Sequence, residues 1–432
     1  MHIRVRHLSS ALLGLALAAS MPSAQPGFAA MTLADMHPPL VAGDGEAVRQ
    51  ADLKIFDEVW SHVRDSFYDP KFRGLNWEAI GKKYRAQAAQ PEAKLARVIN
   101  DMLAELGVSH TGYYTPAETA YYDLADIFAG GLRRNLPKYF PPNGEVSYVG
   151  IGILTRIMDG RNFVSGVLEG SPAAAARLLV GDEIIRVDGA PFEPVNSFTG
   201  KAGKAVSLTV RRGARTETQN IMVIPLRLRP NEMYRNAMEK SARIIDVGTR
   251  KIGYVHVWSY ARFAYQHLLE DLLTSGALKD ADALIWDLRD GWGGAEPGYL
   301  DIFNARSPTM TLTERSAEQS IINGKWRKPV VLLINEGTRS GKEVLAYGFK
   351  KYGLGPVVGT RSAGALLAGR AYLLSNGCLL LLAVADVSVD GERLEGRGVA
   401  PLVSVPFDIR YAQGNDPQLV RAIGLLARTV SD

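Results

Sequence analysis

The 432-residue chain carries one cysteine, Cys378, so no disulfide can form within it. That residue precedes LLLLAV and reads as a buried apolar side chain, since no histidine partner or electropositive setting marks it as a nucleophile. Long apolar runs are missing too: LLLLAVADV meets Asp386 and falls well short of the roughly 20 residues that span a bilayer. The seven histidines show no metal-ligand spacing, so no metal is expected. Gly291, Gly293 and Gly294 follow a strand-like run, but they complete neither a phosphate loop nor a dinucleotide fingerprint. No cofactor is therefore expected. The formal charge is +5 and no basic run is interleaved with aromatics, which excludes nucleic acid as an expected partner.

What is present divides the chain. Arg4, Arg6 and His7 give a basic start, ALLGLALAASM an apolar segment, and Ser23-Ala24 and Ala29-Ala30 small residues. That order predicts a secretory signal over residues 1–30, and hence an exported protein of the periplasm, cell envelope or medium. Residues 31–140 read as helical: VRQADLKIFDEVWSHVRDSFYDP and LARVINDMLAELG space their apolar residues three and four apart. Residues 141–228 change to short β runs, among them VSYVGIGILTRI, RNFVSGVL, DEIIRVDG and AVSLTVRR, with a proline-started helical turn at SPAAAAR. Residues 229–432 alternate strands (KIGYVHVWSY, ADALIWDLRD, VVLLIN, GPVVGT) with helices near residues 264–275, 342–352 and 417–430. The overall fold class is α/β, within a multidomain α+β chain.

The richest stretch is VVLLINEGTRSGKEVLAYGFKKYGLGPVVGTRSAGA, residues 330–365. A buried strand runs into a turn, and Ser340 stands where a helix begins. Free N–H groups and the helix dipole there can hold an anion. Locally, such a serine is either an N-cap or a nucleophile.

The order of residues 146–228, and SPAAAARLLVGDEIIRVDG in particular, resembles a PDZ domain. That resemblance places Gly150, Ile151, Gly152 and Ile153 in the loop whose amides receive a terminal carboxylate beside a strand-addition groove. Adding LGVSHTGYY, DLRDGWGG, NEGTRSGKE and LEGRGVAP, the chain resembles the tail-specific, or C-terminal-processing, serine peptidases over nearly all of residues 31–432. This implies a crotonase-like α/β catalytic domain with Ser340, three residues before Glu343, as nucleophile. The lysine base of the bacterial tail-specific branch is absent, because Ala365 stands at its position. Resemblance to the tricorn core instead assigns His110 as general base, with Ser109 and Glu395 orienting it, and Gly341 and Gly293 as oxyanion donors. Lys342 is expected on another helix face from Ser340, and to be dispensable.

The implied activity is endopeptidase cleavage of extended or unfolded polypeptides near their C-terminal tails. A non-proteolytic PDZ-containing protein that binds peptide tails or a small hydrophobic ligand is the alternative. A homo-oligomer is left open.

Overall fold

The computed structural model describes residues 45–304, 308, 310–322 and 324–429. The secretory-signal expectation lies outside these residues. The core of residues 243–404 is a six-stranded sheet in which Arg250–His256, Ala283–Asp287, Val330–Ile334, Val357–Gly359 and Val403–Ser404 run parallel in that spatial order. Arg243–Val247 adds an antiparallel edge. Ala283–Asp287 and Val330–Ile334 are buried at every residue, as expected for parallel strands covered on both faces. Helices Phe263–Thr274 and Gly341–Lys351 pack with one face of the sheet, where Leu269, Trp286, Leu332 and Phe349 meet. Helix Pro417–Thr429 closes the other through Ala422 and Leu426. Each buried Leu or Phe here contributes about 1.5–3 kcal/mol of transfer free energy.

The β runs of the middle segment form an antiparallel sheet ordered Ile153–Met158, Arg161–Val167, Glu183–Val187, Val206–Arg211 and Gln219–Val223. Its first strand lies at the end of that order. The expected helical turn is Pro172–Ala175, capped by Ser171 Oγ, which accepts the Ala174 N–H at 3.2 Å.

The preceding segment holds the helices Gly45–Ser66, Trp77–Ala88, Leu95–Ala104 and Thr119–Ile127. Within it Gly112–Tyr114 is a short strand, and its partner is remote. It pairs antiparallel with Leu379–Ala385, which pairs in turn with Ala368–Leu373. Sequence reading finds neither late strand as a strand, because LLLLAV alone does not say what it lies against. This small sheet joins the helical segment to the α/β core, and Leu380 and Leu382 share a buried cluster with Phe56, Val59 and Ile99. Cys378, expected to be buried, is only half-buried, at the start of this strand. Its backbone N–H donates to Asn376 Oδ1 at 3.1 Å in the turn that connects the two late strands.

Candidate active site

The turn after Val330–Ile334 is tied to the loop after Ala283–Asp287 before Ser340 is reached. Asn335 Oδ1 accepts the N–H groups of Asp290 (3.0 Å) and Gly337 (2.9 Å), and Thr338 Oγ1 donates to the Leu288 carbonyl (3.0 Å). Ser340 follows with φ 56° and ψ −133°. An ordinary N-cap takes an extended backbone; a non-glycine residue at this φ is strained, and such strain persists only where its surroundings enforce it.

The surroundings are visible. The Ser340 N–H donates to the Ala365 carbonyl at 2.9 Å. The buried Glu343 carboxylate accepts the Ser362 hydroxyl (2.6 Å) and the N–H groups of Gly364 and Ala365 (both 2.7 Å). The three-residue spacing from serine to glutamate thus clamps residues 362–365 over the start of the helix. Gly293 comes so close that a Cβ on it would lie 2.5 Å from Ser340 Cβ and 3.0 Å from the Gly341 nitrogen. A Cβ on Gly341 would meet the Ala295 nitrogen at 2.3 Å. Gly341 opens helix Gly341–Lys351, so its N–H has no acceptor within the helix.

Ser109 and His110 occupy the loop between helix Leu95–Ala104 and strand Gly112–Tyr114. Arg73 braces that loop by donating to the Leu106 carbonyl at 2.8 Å, and Asn100 bonds both polar backbone groups of Tyr113. His110 takes φ 52°, a left-handed conformation that histidine tolerates better than most residues. Its Nδ1 lies 2.9 Å from Ser109 Oγ, which donates to Glu395 Oε2 at 2.8 Å. Glu395 also accepts the Ser109 N–H (2.8 Å) and the Leu366 N–H (2.7 Å). An ionised carboxylate can only accept, and the serine has one hydroxyl proton. With that proton directed to Glu395, Nδ1 must carry a hydrogen and donate it to Oγ. The Nε2 lone pair is then left for another proton.

The two halves of the cluster meet at adjacent residues, since Ala365 accepts from Ser340 and Leu366 donates to Glu395. Enclosure pushes His110 down to about 4; the Arg339 charge adds to this and the Glu395 charge opposes it. Arg339 lies with its guanidinium 5.6 Å from the centre of the Trp292 ring.

The residues expected at the tail-binding loop, Gly150, Ile151, Gly152 and Ile153, line one small hollow together with Phe192 and Phe198. Gly152 has φ 75°, and a Cβ there would fall 2.5 Å from Ser171 Cβ.

Lys342, expected on another helix face from Ser340, is fully buried, and its Nζ donates to the Asp290 carbonyl (2.8 Å) and the Trp258 carbonyl (3.2 Å). Two residues past Ser340 on a helix, it turns inward to the loops that follow strands Arg250–His256 and Ala283–Asp287. Sequence reasoning also left Ser362 without a role, although it stands in the quoted GTRSAG motif. Among the described residues, no group of three or more histidine, cysteine or acidic side chains could hold a metal.

A strained serine at a helix head, a close glycine loop and the hydrogen-bonded chain His110–Ser109–Glu395 supply the kinds of groups that serine-type peptidase chemistry uses. Residues 251–405 match the Peptidase family S41 model, residues 50–104 the tricorn protease C1 domain and residues 149–223 a PDZ domain. The α/β segment is thus similar to the S41 peptidases, with tricorn-like and PDZ-like segments before it. The tricorn protease homolog 1 of Streptomyces coelicolor is 27% identical over 86% of this chain and 35% of its own length. A carboxyl-terminal-processing protease of Picosynechococcus sp. is 24% identical over 86% of this chain and 88% of its own. The chain spans about a third of the length of the Streptomyces tricorn homologues. The crystal structure of the tricorn protease shares the fold, with a TM-score of 0.54 at 20% identity, covering 89% of this chain and 37% of that one.

Proposed function

We propose that this chain is a serine endopeptidase that cleaves extended or unfolded polypeptides near their C-terminal tails. Ser340 attacks the scissile carbonyl, and His110 takes its proton at Nε2 and returns it to the leaving amine. Ser109 and Glu395 hold the imidazole in that tautomer and stabilise the imidazolium. The N–H groups of Gly341 and Gly293 receive the oxyanion. The carrying observation is the left-handed backbone of Ser340, at φ 56°, packed against Gly293 at a helix start. A strand-to-helix turn of this shape is what lifts a nucleophilic hydroxyl clear of its own backbone.

The tail enters this reading through the PDZ segment. A substrate strand adds beside Ile153–Met158, and its terminal carboxylate docks on residues 150–153. Export, read from the composition of residues 1–30, belongs to the same proposal and is tested by fractionating the producing cells.

The central test is labelling with a fluorophosphonate probe. The parent should label and Ser340→Ala should not, while keeping its fold and losing cleavage of casein. Labelling that persists in Ser340→Ala at another serine would overturn the assignment. A folded parent that neither labels nor cleaves, yet retains tail peptides, would favour a binding protein.

A further inference from the structure

Lys342 has no place in the proton relay, yet its burial is complete. No ion pair reaches it among the described residues; its acceptors are two backbone carbonyls. Enclosing an ammonium this way is costly unless its hydrogen bonds are well made. The two carbonyls belong to separate loops. Trp258 follows strand Arg250–His256, and Asp290 follows strand Ala283–Asp287.

These loops lie along each other. The Trp258 carbonyl also accepts the Trp292 N–H at 2.8 Å, and the Gly293 carbonyl accepts the Tyr260 N–H at 3.0 Å. The approach tolerates no side chain, since a Cβ on Gly291 would sit 1.9 Å from the Trp258 oxygen. Lys342 donates where the two backbones converge. The far end of the second loop is Gly293, pressed on Ser340.

We propose that Lys342 is a positioning residue, whose ammonium clamps the Trp258 and Asp290 carbonyls and so fixes the Gly293 backbone against Ser340. This rests on the reading of Ser340 as nucleophile. The clamp comes from the same helix turn as the serine, so one element sets both the nucleophile and the loop that faces it. Asp287, Asp290 and Arg339 are the charged groups that act on the ammonium. Burial lowers its pKa to about 7, against the pull of the two aspartates and with Arg339 adding to the drop. Deprotonation removes the charge that strengthens both bonds, so the clamp loosens as pH rises through that range.

The experiment compares the full-length parent with Lys342→Met, which keeps the length and apolar stem. A misplaced oxyanion loop should lower kcat by about 10²-fold. A peptide aldehyde, which forms a tetrahedral adduct, should lose affinity by a similar factor, and KM should stay near the parent value. The acid limb of the pH profile should not move. Hydrogen exchange should quicken in peptides covering residues 258–260 and 290–294 and stay unchanged elsewhere. Unchanged exchange in those peptides, or parent-like kcat and aldehyde affinity, would overturn the clamp. Disappearance of the acid limb would make Lys342 the base and overturn it as well. Should Lys342→Met not fold, the parent itself decides: exchange at residues 290–294 should rise between pH 6 and 8 on a scale corrected for intrinsic rates, and a flat profile refutes the clamp. Exchange needs no activity, so failure of the serine reading, seen as an unlabelled parent, is told apart from failure of the clamp.

Discussion

Ser109 and Glu395 are 286 residues apart in sequence, yet share two hydrogen bonds of 2.8 Å, one from the serine N–H and one from its hydroxyl. One carboxylate thereby fixes both the loop that carries His110 and the proton order along it. The same carboxylate also accepts the Leu366 N–H, beside the residue that bonds to Ser340.

Glu395→Gln should therefore lower activity far more than stability. The amide brings N–H groups to a site where Ser109 N–H, Ser109 O–H and Leu366 N–H all donate. Ser109 must then turn its proton elsewhere, and His110 loses its enforced tautomer. Loss of the acidic orienting member in a related triad costs about 10⁴-fold in kcat, and a fall of at least 10²-fold is expected here. Steady-state cleavage of an unstructured peptide reads it out, and parent-like kcat would remove Glu395 from the relay.

The acid limb should lie well below the ordinary histidine range. With neutral imidazole as the proposed base, kcat/KM should hold above the His110 pKa and fall as pH drops through about 4. Arg339→Gln removes a charge that lowers this value and should move the limb upward. The same group links pH to stability. Unfolded histidine titrates near 6.5, so the unfolded chain binds more protons between 6.5 and 4, and stability declines as pH falls across that window. A limb near 6.5 would show that His110 is hydrated in the working enzyme.

Gly293→Ala should retain most of the fold while losing the reaction. Its new Cβ would lie 2.5 Å from Ser340 Cβ, so the loop must move away from the serine. The expected loss is about 10²–10³-fold in kcat, the range for removing one oxyanion donor. Rates in a purified variant that melts cooperatively provide the check.

Glu343→Ala should act on the fold. It strands the Ser362 hydroxyl and the N–H groups of Gly364 and Ala365 without their acceptor. Each buried group left unpaired costs about 1–3 kcal/mol. A drop of several kcal/mol in urea unfolding is expected, and a change under 1 kcal/mol would mean that residues 362–365 find other partners.

Amidating the C-terminus of a tail peptide should weaken its binding by about 1.5–3 kcal/mol, the worth of a hydrogen bond to a charged group. Calorimetry with the Ser340→Ala protein measures it without turnover. Equal affinities for acid and amide would leave residues 150–153 without a carboxylate to hold.

Much of this was legible in the chain itself. Parallel core strands announce themselves as unbroken apolar runs, as Val330–Ile334 does, because both faces are covered. The pairing of Ser340 with Glu343, three residues on, came from the resemblance to the tail-specific peptidases. What lay beyond sequence were facts about remote partners. Gly112–Tyr114 is three residues long, and only its ladder to Leu379–Ala385 makes it a strand and holds His110 in place. Lys342 shows the same limit from the other side. Helical periodicity gives the direction in which a side chain leaves its helix, but not whether water or a carbonyl waits there. The local chain determined the elements and the chemistry on offer. Only tertiary packing, which sets burial and brings acceptors from other loops, decided which of those groups share a site.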